Sequence, residues 1–192
     1  MNPVLVLYAT CEGHTRLVAQ HVSTTLRERG LPVVAIDARS ASQNFSLDQY
    51  TAAIVCASVH GGKHEPEIVR FVKRHLDDLV HMHNAFLSVS LSQAGVEDET
   101  ATPERRRQAE ADVKKMIDGF AEQTGWRPER VKAVAGALLY TKYNFLLRWM
   151  MKRIARKAGG ATDTSKDHIY TDWQGLKRFV EQFADTVAAR AA

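Results

Sequence analysis

Six consecutive apolar residues, Val4-Leu5-Val6-Leu7-Tyr8-Ala9, pass through a short polar loop straight into a helical pattern. A run without polar alternation is a strand buried on both faces, which requires a sheet covered by helices on both sides. The rest of the chain repeats this pattern. Further strands are expected at Val33–Ile36, Ala53–Ala57, Ala85–Val89 and Val131–Leu139. Between them, helical spacing appears over 14–29 (Val18, Val22, Leu26 inward), 67–79 (Ile68, Phe71, Val72, Leu76) and 103–124 (Ala109, Val113, Met116, Ile117, Phe120). A last helix opens at Thr171-Asp172-Trp173-Gln174, which fits a capping box, and turns Leu176, Phe179, Val180, Phe183 and Val187 inward. Strands alternating with helices predict an α/β sandwich over a five-stranded parallel sheet, with 1–192 as one domain. A chain of 192 residues buries roughly two-thirds of its surface and needs no covalent staples.

Two cysteines, Cys11 and Cys56, without a Cys-x-x-Cys spacing exclude a disulfide framework and a four-thiolate centre, and no metal site is expected. No apolar stretch reaches the roughly 18 residues of a membrane span, and the first residues lack a basic leader. The expectation is a reduced cytoplasmic protein. Its charge is uneven. From Arg130 to Thr162 stand eight basic residues (Arg130, Lys132, Lys142, Arg148, Lys152, Arg153, Arg156, Lys157) and no acid, within a chain of net charge +4. The basic excess therefore belongs to one segment and points to a polyanionic surface. Within it, Tyr143 to Lys157 shows helical spacing. Leu146, Leu147, Met150, Met151 and Ile154 share one arc, with Arg148, Lys152 and Arg156 opposite and Tyr143, Phe145 and Trp149 at the borders. An apolar face, aromatic borders and a basic face suit an anionic membrane surface. The competing reading packs the apolar arc on the sheet and leaves the basic side solvated. Nucleic acid is not expected, since no nucleic-acid-binding motif is present.

The loop Thr10-Cys11-Glu12-Gly13-His14-Thr15 joins the first strand to the first helix. Free N–H groups and the positive end of the helix dipole there favour an anion, and Gly13 permits close backbone approach. The loop lacks the Walker Gly-Lys-Ser/Thr ending and the three-glycine dinucleotide fingerprint. A plain strand-to-helix turn capped by Thr10 or Thr15 is the alternative. Cys11 reads as a small spacer and Cys56 as a buried apolar residue.

Thr-x-x-Gly-x-Thr after an N-terminal strand resembles the FMN phosphate loop of flavodoxins, with Glu12 where those proteins usually carry Ser or Thr. A sheet of order 2-1-3-4-5 binds ligands beside its first and third strands. Loop Ser58-Val59-His60-Gly61 after the third strand and Ser90-Leu91-Ser92 after the fourth would then flank a flavin ring whose phosphate sits at Thr10–Thr15. Over nearly its whole length the chain is similar to the quinone-dependent protoporphyrinogen oxidases of bacteria. The resemblance rests on Glu12-Gly13, Ala57-Ser58 before a His/Gly-rich loop, Trp126-Arg127-Pro128, Gly136-Ala137-Leu138 and Tyr140. It continues through the basic aromatic helix, Gly159-Gly160-Ala161-Thr162-Asp163-Thr164 and Tyr170-Thr171-Asp172-Trp173. It implies a flavodoxin-like fold with an inserted charged segment (about 92–130) and a basic membrane-surface helix (about 140–158). It also implies FMN as cofactor, protoporphyrinogen IX as substrate, menaquinone or ubiquinone as acceptor, and a place on the inner face of the cell membrane. Lys63, His64, Arg105, Arg106 and Arg107 are candidates for the substrate propionates, and no catalytic acid or base is assigned. A soluble electron carrier, a nicotinamide-dependent quinone reductase and a flavin-free membrane adaptor are the competing functions.

Overall fold

The computed structural model describes residues 1–42, 44–158 and 160–191; for 157, 158 and 191 the backbone alone is described. Strands β1 (Val4–Ala9), β2 (Val33–Asp37), β3 (Ala52–His60), β5 (His83–Ser90) and β6 (Arg130–Ala135) form a parallel sheet of order β2-β1-β3-β5-β6. Counting only these parallel strands, that is the expected 2-1-3-4-5. Val4 lies opposite Val33 and Ala52, and Ala52 opposite His83, so all carboxyl ends open on one edge. A two-residue strand β4 (Lys63–His64) folds back antiparallel on the end of β3.

Alternation along β1 sends Val4 and Val6 to one face and Leu5 and Leu7 to the other. Helices α1 (His14–Glu28) and α7 (Trp173–Ala191) cover the first face with Val18, Val22, Leu26, Leu176, Val180 and Phe183. The second face is covered by α2 (Pro66–Arg74), α3 (Leu76–His81) and α5 (Pro103–Thr124), which contribute Ile68, Phe71, Val72, Leu79 and Phe120. Trp126, from the turn after α5, is buried in the same cluster.

The structure departs from the sequence expectation at four places. The helix expected over 67–79 breaks at His75, which leaves helical geometry and packs its ring at a tilt against Phe71, ring centroids 4.5 Å apart. The polar stretch from Ser92 contains a helix, α4 (Leu91–Glu97), which buries no residue of its own. The first half of α5 packs on it, Ala109 Cβ lying 3.3 Å from where a Cβ on Gly95 would stand, so Met116 and Ile117 are only half-buried. The fifth long strand ends at Ala135. Beyond Gly136, β7 (Ala137–Leu138) pairs antiparallel with β8 (His168–Ile169) in a small second sheet. Finally, Asp172 rather than Thr171 caps α7, its carboxylate accepting the Gly175 N–H at 2.8 Å.

The basic segment forms a 3-10 turn (Tyr140–Lys142) and α6 (Phe145–Ala158), with Asn144 Oδ1 accepting the Leu147 N–H at 2.9 Å to start the helix. Leu147, Met151 and Ala155 pack with Leu138, Leu139, Tyr140 and Tyr143 in a third apolar cluster. Ala161 is clamped there: its carbonyl accepts from Tyr140 Oη and its N–H donates to Tyr170 Oη. That ties the Gly160–Thr164 motif to both tyrosines; Gly159 lies outside the described residues. No described helix is long and apolar enough to cross a membrane.

Candidate functional site

Because the sheet is parallel, the loops after β1, β3 and β5 meet on its carboxyl edge. The first begins with Thr10, whose Oγ1 accepts the Gly13 N–H at 2.9 Å and closes the loop on itself. Gly13 has φ 97°, a left-handed conformation that a side chain resists, and stands at the start of α1. No side chain caps that helix and its first turn holds no acid, so its leading N–H groups face outward without an internal acceptor. Thr15 sits in this turn, buried. A Cβ on Gly13 would lie 3.6 Å from Lys142 Nζ and 3.8 Å from an Arg16 guanidinium nitrogen. Uncapped donors, a left-handed glycine and two cations make a cradle that fits a phosphate monoester.

Lys142 was not singled out as a site residue by the sequence, where it stands as one charge among eight. It reaches the loop from 130 residues away and donates to the Glu12 carbonyl at 3.3 Å. The Glu12 carboxylate points elsewhere, to His60 Nε2 at 3.3 Å, which removes it from the phosphate cradle.

His14 is also in the loop, but its ring is committed inward. Thr171 Oγ1 donates its one proton to the Ala135 carbonyl at 2.6 Å, so it must accept from His14 Nε2–H at 2.8 Å. Nδ1 is then a buried acceptor without a partner among the described residues. Burial lowers the affinity of this imidazole for a proton, an effect partly opposed by the Ala135 carbonyl. His14 therefore fastens the loop to the Tyr170–Trp173 motif.

At the end of β3, Ser58 turns inward, donating to Glu65 Oε1 at 2.9 Å. Val59 is half-buried and His60 and Gly61 are exposed, with Gly61 and Gly62 both left-handed at the hairpin tip. Glu65 is 6% exposed and gathers Ser58, the Cys11 thiol (3.2 Å) and His60 Nε2 (3.3 Å) on one oxygen. It carries no motif and the sequence did not mark it. Burial, followed by the hydrogen bond and charge of Glu65, pushes the Cys11 thiol up to about 11, so it is no thiolate nucleophile. Cys56 is fully buried, which also holds its thiol protonated.

At the end of β5, Ser90 Oγ accepts the Gln93 N–H at 3.3 Å and caps α4; Leu91 and Ser92 are half-buried in its first turn. Gly136 packs against this point, a Cβ there falling 3.3 Å from the Ser90 carbonyl carbon. Of the five propionate candidates, His64 is excluded. It is buried against Phe86 and Phe120 and bonded to Ser88 Oγ at 2.8 Å. Arg106 donates to the Asp98 carbonyl and Arg107 to Glu104. Lys63 and Arg105 have no ion pair among the described residues.

The flavodoxin-domain family model matches residues 5–165. The chain is 32% identical over 181 residues to a Leishmania major protein named protoporphyrinogen IX dehydrogenase (quinone), covering 94% of this chain and 74% of that protein. An Escherichia coli K12 protein of the same name is 31% identical over 180 residues, covering 94% and 93%. Among solved structures, a flavodoxin from Pseudomonas aeruginosa superposes with a TM-score of 0.54 at 13% identity, covering 97% of this chain and 99% of that one. This last likeness is one of fold.

Proposed function

The chain belongs to the flavodoxin-domain family and, within it, to the quinone-linked protoporphyrinogen IX dehydrogenases, and we propose that it oxidises protoporphyrinogen IX to protoporphyrin IX through FMN, with a membrane quinone as acceptor. The carrying observation is the relatedness over 94% of the chain to two proteins of that name, supported by a loop after β1 whose uncapped donors and two nearby cations fit a phosphate. The redox chemistry is the flavin's: three two-electron oxidations, six protons and six electrons leaving the substrate and three quinones becoming quinols.

The chain's own residues bind and orient. The Gly13–Arg16 backbone, Arg16 and Lys142 would hold the FMN phosphate, while Val59–Gly62 and the Ser90–Ser92 turn would flank the ring. Lys63 and Arg105 remain to meet the substrate propionates. His60 is exposed on the second loop.

The finer part of the proposal is that α6 lies on an anionic bilayer. Phe145 is 86% exposed and Leu146 71%, with Trp149, Met150 and Ile154 about half exposed. Arg153 covers the Trp149 ring at 5.1 Å. The division of α6 into an apolar and a basic arc needs correction. Leu147 and Met151 turn inward with Ala155, and Arg148 bonds the Tyr140 and Tyr143 carbonyls. The outer face then mixes apolar side chains with Arg153 and Arg156, as interfacial helices do when long cations rise to the headgroups. An acceptor dissolved in lipid gives this face a purpose. The test is anaerobic: protoporphyrinogen IX is added to protein, FMN and menaquinone-bearing vesicles, and porphyrin fluorescence is followed. Three quinols per porphyrin are expected; fluorescence independent of FMN or quinone overturns the reading.

A further inference from the structure

Between the first and second loops lies a group that the flavin chemistry leaves unexplained. Cys11 and Glu12 follow β1, His60 ends β3 and Glu65 precedes α2. One ligand atom from each of Cys11, His60 and Glu65 lies within 4.8 Å of the others, and Glu12 Oε2 is 3.3 Å from His60 Nε2. Two carboxylates and a thiol thus converge on one imidazole. Neither carboxylate pairs with a Lys or Arg among the described residues. Glu65 is nine-tenths buried, where an ionised carboxylate calls for a cation. Cys11 is exposed and leaves the group open to solvent on one side.

We propose that Cys11, His60 and Glu65 bind one Zn2+ ion, with solvent at the fourth position. Bond lengths of about 2.0 Å to oxygen and nitrogen and about 2.3 Å to sulfur give tetrahedral N···O edges near ~3.3 Å and S···O edges near ~3.5 Å. The edges present are 3.3 Å for His60–Glu65 and 3.2 Å for Cys11–Glu65, and the Cys11 and His60 ligand atoms lie within 4.8 Å of each other. The donor set is mixed sulfur, nitrogen and oxygen, which suits zinc and disfavours magnesium or calcium. On binding, the Cys11 S–H gives its proton to solvent and the sulfur bonds the metal, with no change of oxidation state. The ion would staple the β1 loop to the β3 hairpin.

The test uses chelator-treated, FMN-loaded protein titrated with ZnCl2 against a chromophoric zinc indicator. One equivalent is expected. Cys11→Ser and His60→Ala, each checked for retained fold by circular dichroism, should weaken it by about a hundredfold or more. On the unaltered protein, Co2+ used in place of zinc should give a sulfur-to-metal charge-transfer band in the near ultraviolet that Cys11→Ser abolishes, since Cys56 is buried away from the group. Absence of a tight equivalent, affinity in both variants equal to that of the unaltered protein, or a cobalt spectrum without the sulfur band overturns the site.

Discussion

Lys142 and His64 show how single residues take roles that their local sequence does not announce. Lys142 sits on the 3-10 turn before α6, yet its ammonium lies beside the Gly13 loop. It links the basic segment to the loop after β1. Lys142→Ala should weaken FMN by about tenfold, the ~1.4 kcal/mol of one charge-assisted hydrogen bond, and leave riboflavin binding unchanged. Flavin fluorescence titration with both ligands checks this; equal weakening of both would place Lys142 away from the phosphate. His64 is the opposite case. Burial lowers its pKa from 6.5 to about 4, so the folded protein keeps the ring neutral while the unfolded chain takes up a proton. Its contribution is intact above pH 6.5 and is lost as pH falls towards 4, on the order of 3 kcal/mol in all. Urea unfolding across that window should show the slope, and His64→Phe should make it shallower by about one proton.

Among elements, most of those whose partner is the sheet were legible in the sequence, and those that serve other surfaces were read less fully. Strand β1 and helices α1 and α7 fall close to their expected bounds because each reads against one buried surface; α5 keeps its bounds although its first half packs on α4. Helix α4 has no apolar face of its own, so no periodicity marked it; it exists because Ser90 caps it and α5 covers it. The apolar residues of α6 were read as one arc, but they serve two environments. Leu147, Met151 and Ala155 meet the third cluster, while Phe145, Leu146, Trp149, Met150 and Ile154 remain outside. Hydrophobic spacing cannot tell a core from a bilayer, since both remove the same surface from water. If the outer face meets lipid, Phe145→Ser with Leu146→Ser should cost about tenfold or more in partitioning to anionic vesicles, leaving thermal unfolding unchanged. Flotation with phosphatidylserine vesicles measures this; a fall in unfolding temperature instead would make the face part of the fold. Each basic residue adds about 1 kcal/mol at low salt, so binding should weaken as salt rises.

Over the whole molecule, the parallel sheet followed from the alternation of strands and helices, and its order and the meeting of three loops on one edge from the resemblance to flavodoxins. What fills that edge did not. The sequence put a carboxylate at Glu12 beside a phosphate loop, and only the packing shows it turned to His60. It likewise gave no sign that Glu65 would gather Cys11, Ser58 and His60, because these residues meet only once β3 and its hairpin are paired. The fold brings the cofactor edge, the basic segment and α6 into one connected surface through Lys142 and Arg148. The most direct measurement is the half-reaction. FMN-loaded protein is mixed anaerobically with protoporphyrinogen IX without quinone, and the flavin's visible absorption is recorded. Bleaching by the porphyrinogen, restored on adding a menaquinone analogue, is the expected result. Flavin that stays oxidised with porphyrinogen but bleaches with NADPH would contradict it.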